Sequence, residues 1–504
     1  MNGQHIIAVD IGTTNTRAVL YRDHAGIVGQ ESERCATSYP KPGFVEQDPE
    51  EILKAVVRAV RRLVDNTEVD PRTVATVVFD GIWQSLLAVD AAGSALCRAS
   101  TWADSRSLRH NELLRERLDP LEVKRRTGCT LHPMYFLSRL AWMQDELPGV
   151  YRRADRFVSL KEYVLGRLFG SRQVDHSIAS GTGVWNMHSK KWDADLLAEI
   201  GLSASRFSEP VEPTFVLPGL SRTAAGLLGL LAGTPGVIGT ADGAATHLGS
   251  VGLREDRLSL TVGTGAALRR RMGAPRVDEG SEAWCYYLAE ESWLLGAIVP
   301  DAGNVLAWFA ANFMAAGEPD EVLFARMNEL AASAPPGCDG LRFLPLLGGE
   351  RCPEYRPDAR GAIFGLTLSH GLNHIARSLM EGLAYILYAA YRMIDPDSST
   401  EIVATGGILK SRVLLKIVTD FFGKRLWLPE PLEAASWGSL LIARKAIGEL
   451  DSLGECERFI RTAGRQEPDP EAHRSYRSIG AAYDGLRASL YGSETARDFK
   501  EAAP

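Results

Sequence analysis

The chain has 504 residues, 45% hydrophobic and 24% charged, with a formal net charge of −7 at pH 7. That length exceeds what one core supports and calls for two or three domains. The acidic balance argues against nucleic acid as a main partner, since such proteins carry a basic face, yet it leaves room for a small anion held by a few local groups. The seven cysteines (35, 97, 129, 285, 338, 352 and 456) are odd in number and form no C-x-x-C pair. That fits reduced thiols in a cytoplasmic protein better than disulfides or a zinc site. Asp10 interrupts the first apolar stretch and no apolar run of about 18 residues exists, so neither a secretory signal nor a membrane span is expected.

In chain order, residues 5–10, 16–22 and 26–34 read as a β-meander. A helix follows, with Asp48 as N-cap, Pro49 in the first position and Glu51 three residues after the cap. Ile52, Leu53, Val56, Val57, Val60, Leu63 and Val64 then recur at helical spacing. Strands over 74–79 and 86–89 and helices over 105–118 and 138–147 complete an α/β unit with a mixed sheet. A short strand at 237–239 precedes a restart of the pattern near residue 245, and a hinge is expected over 240–256. The later part predicts a long helix at about 370–394, a strand at 401–405, a helix at 412–422 capped by Ser411 and ended by Gly423, and a strand at 426–428. The polar C-terminal segment reads as a closing helix and a frayed tail.

Two stretches repeat one pattern half a molecule apart. Ile6 to Leu20 and Leu258 to Leu268 each hold an apolar strand, a Gly-Thr turn and a second strand. Glycine lets a backbone approach a phosphate closely, and turn N–H groups and Thr hydroxyls donate to its oxygens. The pair therefore suggests a duplicated domain with a polyphosphate held between the copies; two ordinary hairpins are the alternative. Asp10 has Thr261 as its counterpart, so a single carboxylate is expected beside the phosphates, where Mg²⁺ would bind.

Asp242 stands at the end of a strand among small residues, Gly239 to Ala245, where a carboxylate accepts a proton from a substrate hydroxyl; a turn aspartate is the plainer reading. Trp102, Asp104 and Arg106 offer an apolar face, an acid and a guanidinium suited to a polyol or, through Arg106, to a substrate carboxylate; a helix N-terminus with an Asp–Arg pair is the alternative. Gly406-Gly407 lacks the third glycine of a dinucleotide fingerprint. His370 and His374 lack a third metal ligand and read as helix-surface or helix-packing residues. The P-loop, the G-x-S-x-G elbow and the protein-kinase catalytic loop are absent.

Taken in order, several stretches resemble the FGGY family of carbohydrate kinases, in the actin and hexokinase superfamily, over residues 5 to about 447. They are Val9 to Thr14, Gly43 to Pro49, Trp102 to Arg106, Gly239 to Gly243, Val262 to Thr264, Phe343 to Pro345 with Gly349 to Arg351, Arg360-Gly361, and Thr405 to Gly407. Within the family the chain is most similar to the gluconate kinases. Thr127-Gly128, His132 to Met134, Ser159 to Tyr163, Ser177 to Gly183 and Asp242-Gly243 carry that likeness. One position departs: the Met-His pair that reads the sugar in many gluconate and xylulose kinases is Trp83-Gln84 here.

The resemblance implies an α/β fold of two ribonuclease-H-like domains around a central cleft: residues 1–245 with the sugar site and first phosphate hairpin, 246–450 with the nucleotide site, and 451–504 as a helical extension and tail. It implies ATP-dependent phosphorylation of the primary hydroxyl of a sugar or sugar acid, gluconate first, with xylulose or another polyol as the alternative. Asp242 would be the base and Asp10 would hold Mg²⁺. Gly12, Thr13, Thr14, Asn15, Arg17, Gly263, Thr264, Gly303, Gly406, Gly407 and Ser411 would bind the nucleotide. Trp83, Gln84, Trp102, Asp104, Arg106, His132, Met134, Asp242 and Gly243 would bind the sugar. The implied partners are a small sugar and ATP, with no nucleic acid and no membrane; a homodimer is compatible. A non-catalytic sugar sensor of the same fold would be expected to have lost Asp10 or Asp242, and both are present. An NAD-linked dehydrogenase would need the glycines that are missing.

Overall fold

A computed structural model describes residues 4–22, 26–314, 318–430 and 433–492. The tail expected after the closing helix lies outside these residues.

Two sheets organise the chain. In the first, β1 (His5–Ile11), β2 (Asn15–Arg22) and β3 (Ile27–Arg34) form the expected meander, and β4 (Val74–Gly81) runs parallel to β1. β5 (Val216–Gly219) and β6 (Pro235–Val237) complete the order β5-β6-β4-β1-β2-β3. The second sheet repeats the plan. β7 (Arg257–Val262) and β8 (Ala266–Met272) form the hairpin, β9 (Trp284–Ala289) and β10 (Ser292–Val299) extend it, and β11 (Glu401–Gly406) lies parallel to β7. β12 (Leu426–Pro429) and β13 (Thr462–Gln466) close the far edge, giving β9-β10-β8-β7-β11-β12-β13. The segment read as a helical extension thus also supplies an edge strand.

Helices cover the sheets. α1 (Pro49–Thr67) starts as its sequence dictates: the Asp48 carboxylate accepts from the Glu50 and Glu51 N–H groups at 3.0 and 3.4 Å. Its Ile52, Val56, Val60 and Leu63 are buried against the first sheet. Much of the expected hinge is α2 (Asp242–Val251), a continuous helix. α3 (Leu372–Ile394) and α4 (Arg412–Phe422) pack on the second sheet, with α6 (Pro470–Tyr491) outside them; α5 (Ala434–Ala446) precedes α6 and crosses α2.

α5 lies in sequence between β12 and β13 of the second sheet but buries its apolar face on the first. Trp437, Leu440 and Leu441 pack with Ile6, Ala8, Val19, Tyr21 and Val78. The Tyr21 and Ser436 hydroxyls meet at 2.8 Å. Trp284, Tyr286 and Tyr287 of β9 join the same cluster, so one core spans both halves.

The crossing of α2 and α5 is backbone on backbone. A Cβ added at Gly438 would stand 1.9 Å from the Ala245 carbonyl oxygen, and one at Gly249 would stand 2.0 Å from that of Ala434. Glycine is required there for lack of space. Gly438→Ala is expected to force the helices apart and lower the unfolding free energy by about 1–3 kcal/mol. Urea unfolding monitored by tryptophan fluorescence checks this; an unchanged midpoint would show that the crossing yields.

Candidate active site

The first carboxylate sits where the meander pattern placed it. Asp10, near the end of β1, is in register with Arg17 on β2 and with Asp80 on β4. The second sheet holds Thr261 and Thr405 in the same relation, their hydroxyls 2.9 Å apart. Asp80 is fully buried and accepts the Ser439 hydroxyl at 2.6 Å, a bond from α5. One oxygen of Asp10 and one of Asp80 are buried without a hydrogen bond. Burial, and then the charge of Asp10, hold the Asp80 carboxyl well above the usual range. Burial raises Asp10 as well, opposed by its hydrogen bond with Asp80 and by Arg17. The two carboxyls therefore titrate as a pair, and burial favours keeping one proton on it. Arg17 also pairs with Glu433, just before α5.

The sequence led us to expect one carboxylate here; the structure supplies two. Orphaned carboxylate oxygens beside a glycine turn suit a divalent cation. Among the described residues no cluster of three or more His, Cys, Asp or Glu side chains forms a metal cage. A cation held here would take most ligands from water and phosphate, as Mg²⁺ does.

Asp242 opens α2, and the Gly243 N–H donates to its Oδ1 at 2.6 Å. Burial, followed by the charge of Asp10, pushes this carboxyl up to about 6, against Arg269, the Gly243 N–H and Lys161. It is an ionised acceptor at neutral pH with a pKa close to that of a general base.

The two glycine turns have matching roles. In the first, the Gly12 N–H donates to the Asn15 carbonyl at 3.1 Å, and a Cβ at Gly12 would stand 2.7 Å from that oxygen. Thr14 and Asn15 form its exposed tip. In the second, the Gly263 N–H donates to Gly265 at 2.8 Å, and Gly263 and Thr264 are exposed. The Gly303 and Asn304 N–H groups donate to Gly263 and Thr264 at 3.0 Å each, docking the helix Gly303–Phe313 on this turn. Gly406 has φ +82°, with the Val262 carbonyl 2.6 Å from where its Cβ would be. Gly407 follows in the same turn. The Ser411 hydroxyl accepts the Leu414 N–H at 3.1 Å and donates to Asn328, so this side chain is a helix cap.

On the sugar side, the Trp83 Nε1–H donates to the Ser177 carbonyl at 2.8 Å, and its ring rests against Trp284, Tyr286 and the backbone of Gly243. Gln84, at φ +52°, donates to the Tyr286 hydroxyl at 3.1 Å. That hydroxyl meets Tyr135 at 2.6 Å, and Arg351 donates to Tyr135 at 3.3 Å. The Gln84 amide thus belongs to a buried chain of polar groups linking the two halves. Trp102 donates to the Thr13 hydroxyl at 3.3 Å, joining the sugar side to the first phosphate turn. His132 accepts the Met134 N–H at 3.1 Å; burial and the Arg351, Arg139 and Arg115 charges keep it neutral. Met134 is buried.

Two expected sugar contacts are occupied elsewhere. The Arg106 guanidinium donates to both oxygens of Asp104 at 2.9 Å, pairs with Glu46 at 2.8 Å and lies over the Phe44 and Trp142 rings. The Asp104 carboxylate also accepts the Val45 N–H at 2.7 Å. Together they clamp the segment before α1, with Nε and Nη2 of Arg106 taken up by Asp104 and Glu46. His370 and His374 accept the Thr367 and Gly371 N–H groups at 2.9 and 3.0 Å; His370 lies just before α3 and His374 in its first turn.

Asp80, Tyr135, Tyr286, Arg269 and Arg351 join the expected site residues in the structure without being candidates from the sequence. Two carried a signal: Asp80, an acid then glycine at the end of an apolar strand, echoing Asp10 and Gly12, and Arg351, within the family-like stretch Gly349 to Arg351.

The model of the FGGY family of carbohydrate kinases, N-terminal domain, matches residues 5–249, and that of its C-terminal domain matches residues 258–447. A gluconokinase of Bacillus subtilis (strain 168) is 32% identical over 504 residues, covering 97% of each chain. The crystal structure of gluconate kinase from Lactobacillus acidophilus is 28% identical, with a TM-score of 0.91 over 98% of this chain and 99% of that one. A ligand-bound xylulose kinase from Lactobacillus acidophilus has the same identity, 28%, and the same TM-score, 0.91, over 97% and 99%.

Because Asp104 and Arg106 hold each other in a buried clamp, removing one leaves the other uncompensated. Asp104→Ala is expected to cost about 3 kcal/mol of stability, read by urea unfolding, without reordering the sugars the protein binds. A stable variant with a new substrate ranking would return these residues to the sugar site.

Proposed function

The chain belongs to the FGGY family of carbohydrate kinases, and we propose that its acceptor is a sugar acid, gluconate first, phosphorylated on the primary hydroxyl by ATP. The observation that carries the reading is the position of Asp242. It opens a helix beside the paired acids Asp10 and Asp80, and its own carboxyl has a pKa suited to accepting a hydroxyl proton. The names of the relatives favour gluconate. Xylulose is the second reading, because the xylulose kinase structure matches as well as the gluconate kinase structure does.

In this reading the substrate lies against Trp83 with its hydroxyl at Asp242. Asp242 takes the proton as the oxygen attacks the γ-phosphorus, and the bond from that phosphorus to the β,γ-bridging oxygen breaks, so that ADP leaves. The N–H groups and hydroxyls of the Gly12–Thr14 turn face one side of the polyphosphate, and Gly263–Thr264 the other. Gly406-Gly407 borders the adenosine. Asp10 and Asp80 are the residues that would hold Mg²⁺, which when bound offsets the charge on the transferring phosphoryl group. Most of the rate gain in such a transfer comes from positioning and charge stabilisation. Closure of the halves over the substrates would exclude the water that competes for the phosphoryl group.

Asp242→Asn keeps the shape and removes the proton acceptor. Turnover should fall at least ~10²-fold with ATP affinity little changed. Retention of more than about a tenth of wild-type turnover would remove Asp242 from the role.

The pH dependence follows from the raised carboxyl. Asp242 works only when ionised, so kcat/KM is expected to hold at neutral pH and to fall as pH drops through about 6. A profile that stays flat well below that value would show that no group of this kind limits the reaction.

A further inference from the structure

β8 carries three arginines in succession, Arg269, Arg270 and Arg271. Two have acidic partners: Arg270 donates to Asp395 at 2.9 Å, and Arg271 pairs with Glu255. Arg269 pairs with no carboxylate within 4.0 Å among the described residues, although it is only 9% exposed. Its one side-chain hydrogen bond goes from Nη1 to the Thr261 hydroxyl at 3.3 Å, and its Nε–H is buried without an acceptor. A buried cation left in this state carries a desolvation cost that a counter-charge would offset.

The place of this guanidinium matters. A Cβ added at Gly243 would stand 2.6 Å from Nη2, 2.9 Å from Nε and 2.4 Å from the Trp83 ring. The guanidinium and the indole therefore fill the space a side chain at 243 would take, immediately after Asp242. Glycine at that position and arginine at 269 are complementary halves of one feature. Of the other cations, Arg17 pairs with Glu433, Lys161 with Asp175 and Arg106 with Asp104 and Glu46, whereas Arg139 and Arg115, which with Arg351 act on His132, are held by backbone carbonyls. Arg351, also buried, donates to Tyr135.

We propose that Arg269 is the specificity-determining residue of the acceptor site, its unused donors taking the carboxylate of a sugar acid laid across Trp83. The inference rests on the sugar-acid reading above and gives it a residue. A guanidinium offers paired donors that match a carboxylate, and a neutral polyol supplies no charge to complete the site. Asp242, held apart from Arg269 beyond ion-pair distance, keeps its oxygens for the hydroxyl.

The test compares gluconate with glucitol, the same carbon chain with a hydroxymethyl group in place of the carboxylate. Dissociation constants are measured by calorimetry without nucleotide. The wild-type protein is expected to bind gluconate at least ~30-fold more tightly than glucitol. Arg269→Gln should bring the two within about threefold. Gly243→Ala, which pushes the guanidinium aside from the opposite direction, should narrow the gap as well and serves if Arg269→Gln does not fold. A gap that survives in whichever variants fold overturns the role of Arg269 while leaving the sugar-acid reading intact. Equal binding of both ligands by the wild-type protein overturns the sugar-acid reading itself. If Arg269→Gln keeps the gap but loses turnover and moves the acidic limb of the pH profile, Arg269 acts through Asp242 and the proposal fails.

Discussion

The contact on which the rest depends is the close crossing of α2 and α5. Two helices from different halves of the chain meet with Gly249 and Gly438 set against the facing backbone carbonyls. From one end of α2 comes Asp242. From α5 come Ser439, bonded to Asp80, and Ser436, bonded to Tyr21; Glu433, paired with Arg17, stands just before it. The helices thus join the two sheets and also set the spacing of the acids. An interface without side chains has few ways to adjust, so a change of even one methyl group there should reach the site.

The second determinant is the accumulation of negative charge beside the first glycine turn, where the proposed function puts a polyphosphate and its cation. Burial raises Asp10, Asp80 and Asp242; the charge of Asp10 raises the other two further, and that of Asp242 adds to Asp80. Such a cluster is costly without a ligand, which is common where groups are tuned for chemistry rather than for stability. The second sheet, with Thr261 and Thr405 in the matching positions, shows the same architecture without the charge. One copy of the duplicated turn therefore has only neutral donors beside it, and the other adds carboxylates, which the proposed function assigns to a phosphate and a cation respectively.

The sugar side is built differently. Trp83, Trp284 and Tyr286 form an aromatic wall, and a chain of hydroxyl and amide groups runs behind it from Gln84 to Arg351. The departure at Trp83-Gln84 is thus tied to residues of the other half. An amide that donates to Tyr286 is a different partner for a sugar from an imidazole, and its orientation is fixed by that bond.

The sequence by itself determined the elements whose cause is local. Apolar alternation and the glycine turns set both hairpins, and Asp48, Pro49 and the apolar stripe set α1. Gly423 and Ser411 bound α4, since a cap and a left-handed end are properties of a few adjacent residues. Family resemblance added the two-domain kinase fold. Only the tertiary structure decided what joins residues far apart in the chain. Register placed Asp80 against Asp10, because a parallel pairing brings together strand ends separated by a helix. Packing turned Arg106 from a substrate candidate into a clamp, since Glu46, Phe44 and Trp142 reach it from three segments. It likewise left Arg269 alone among three adjacent arginines: successive residues of a strand face opposite sides, and what waits along each side is set by the fold and not by the neighbours in sequence.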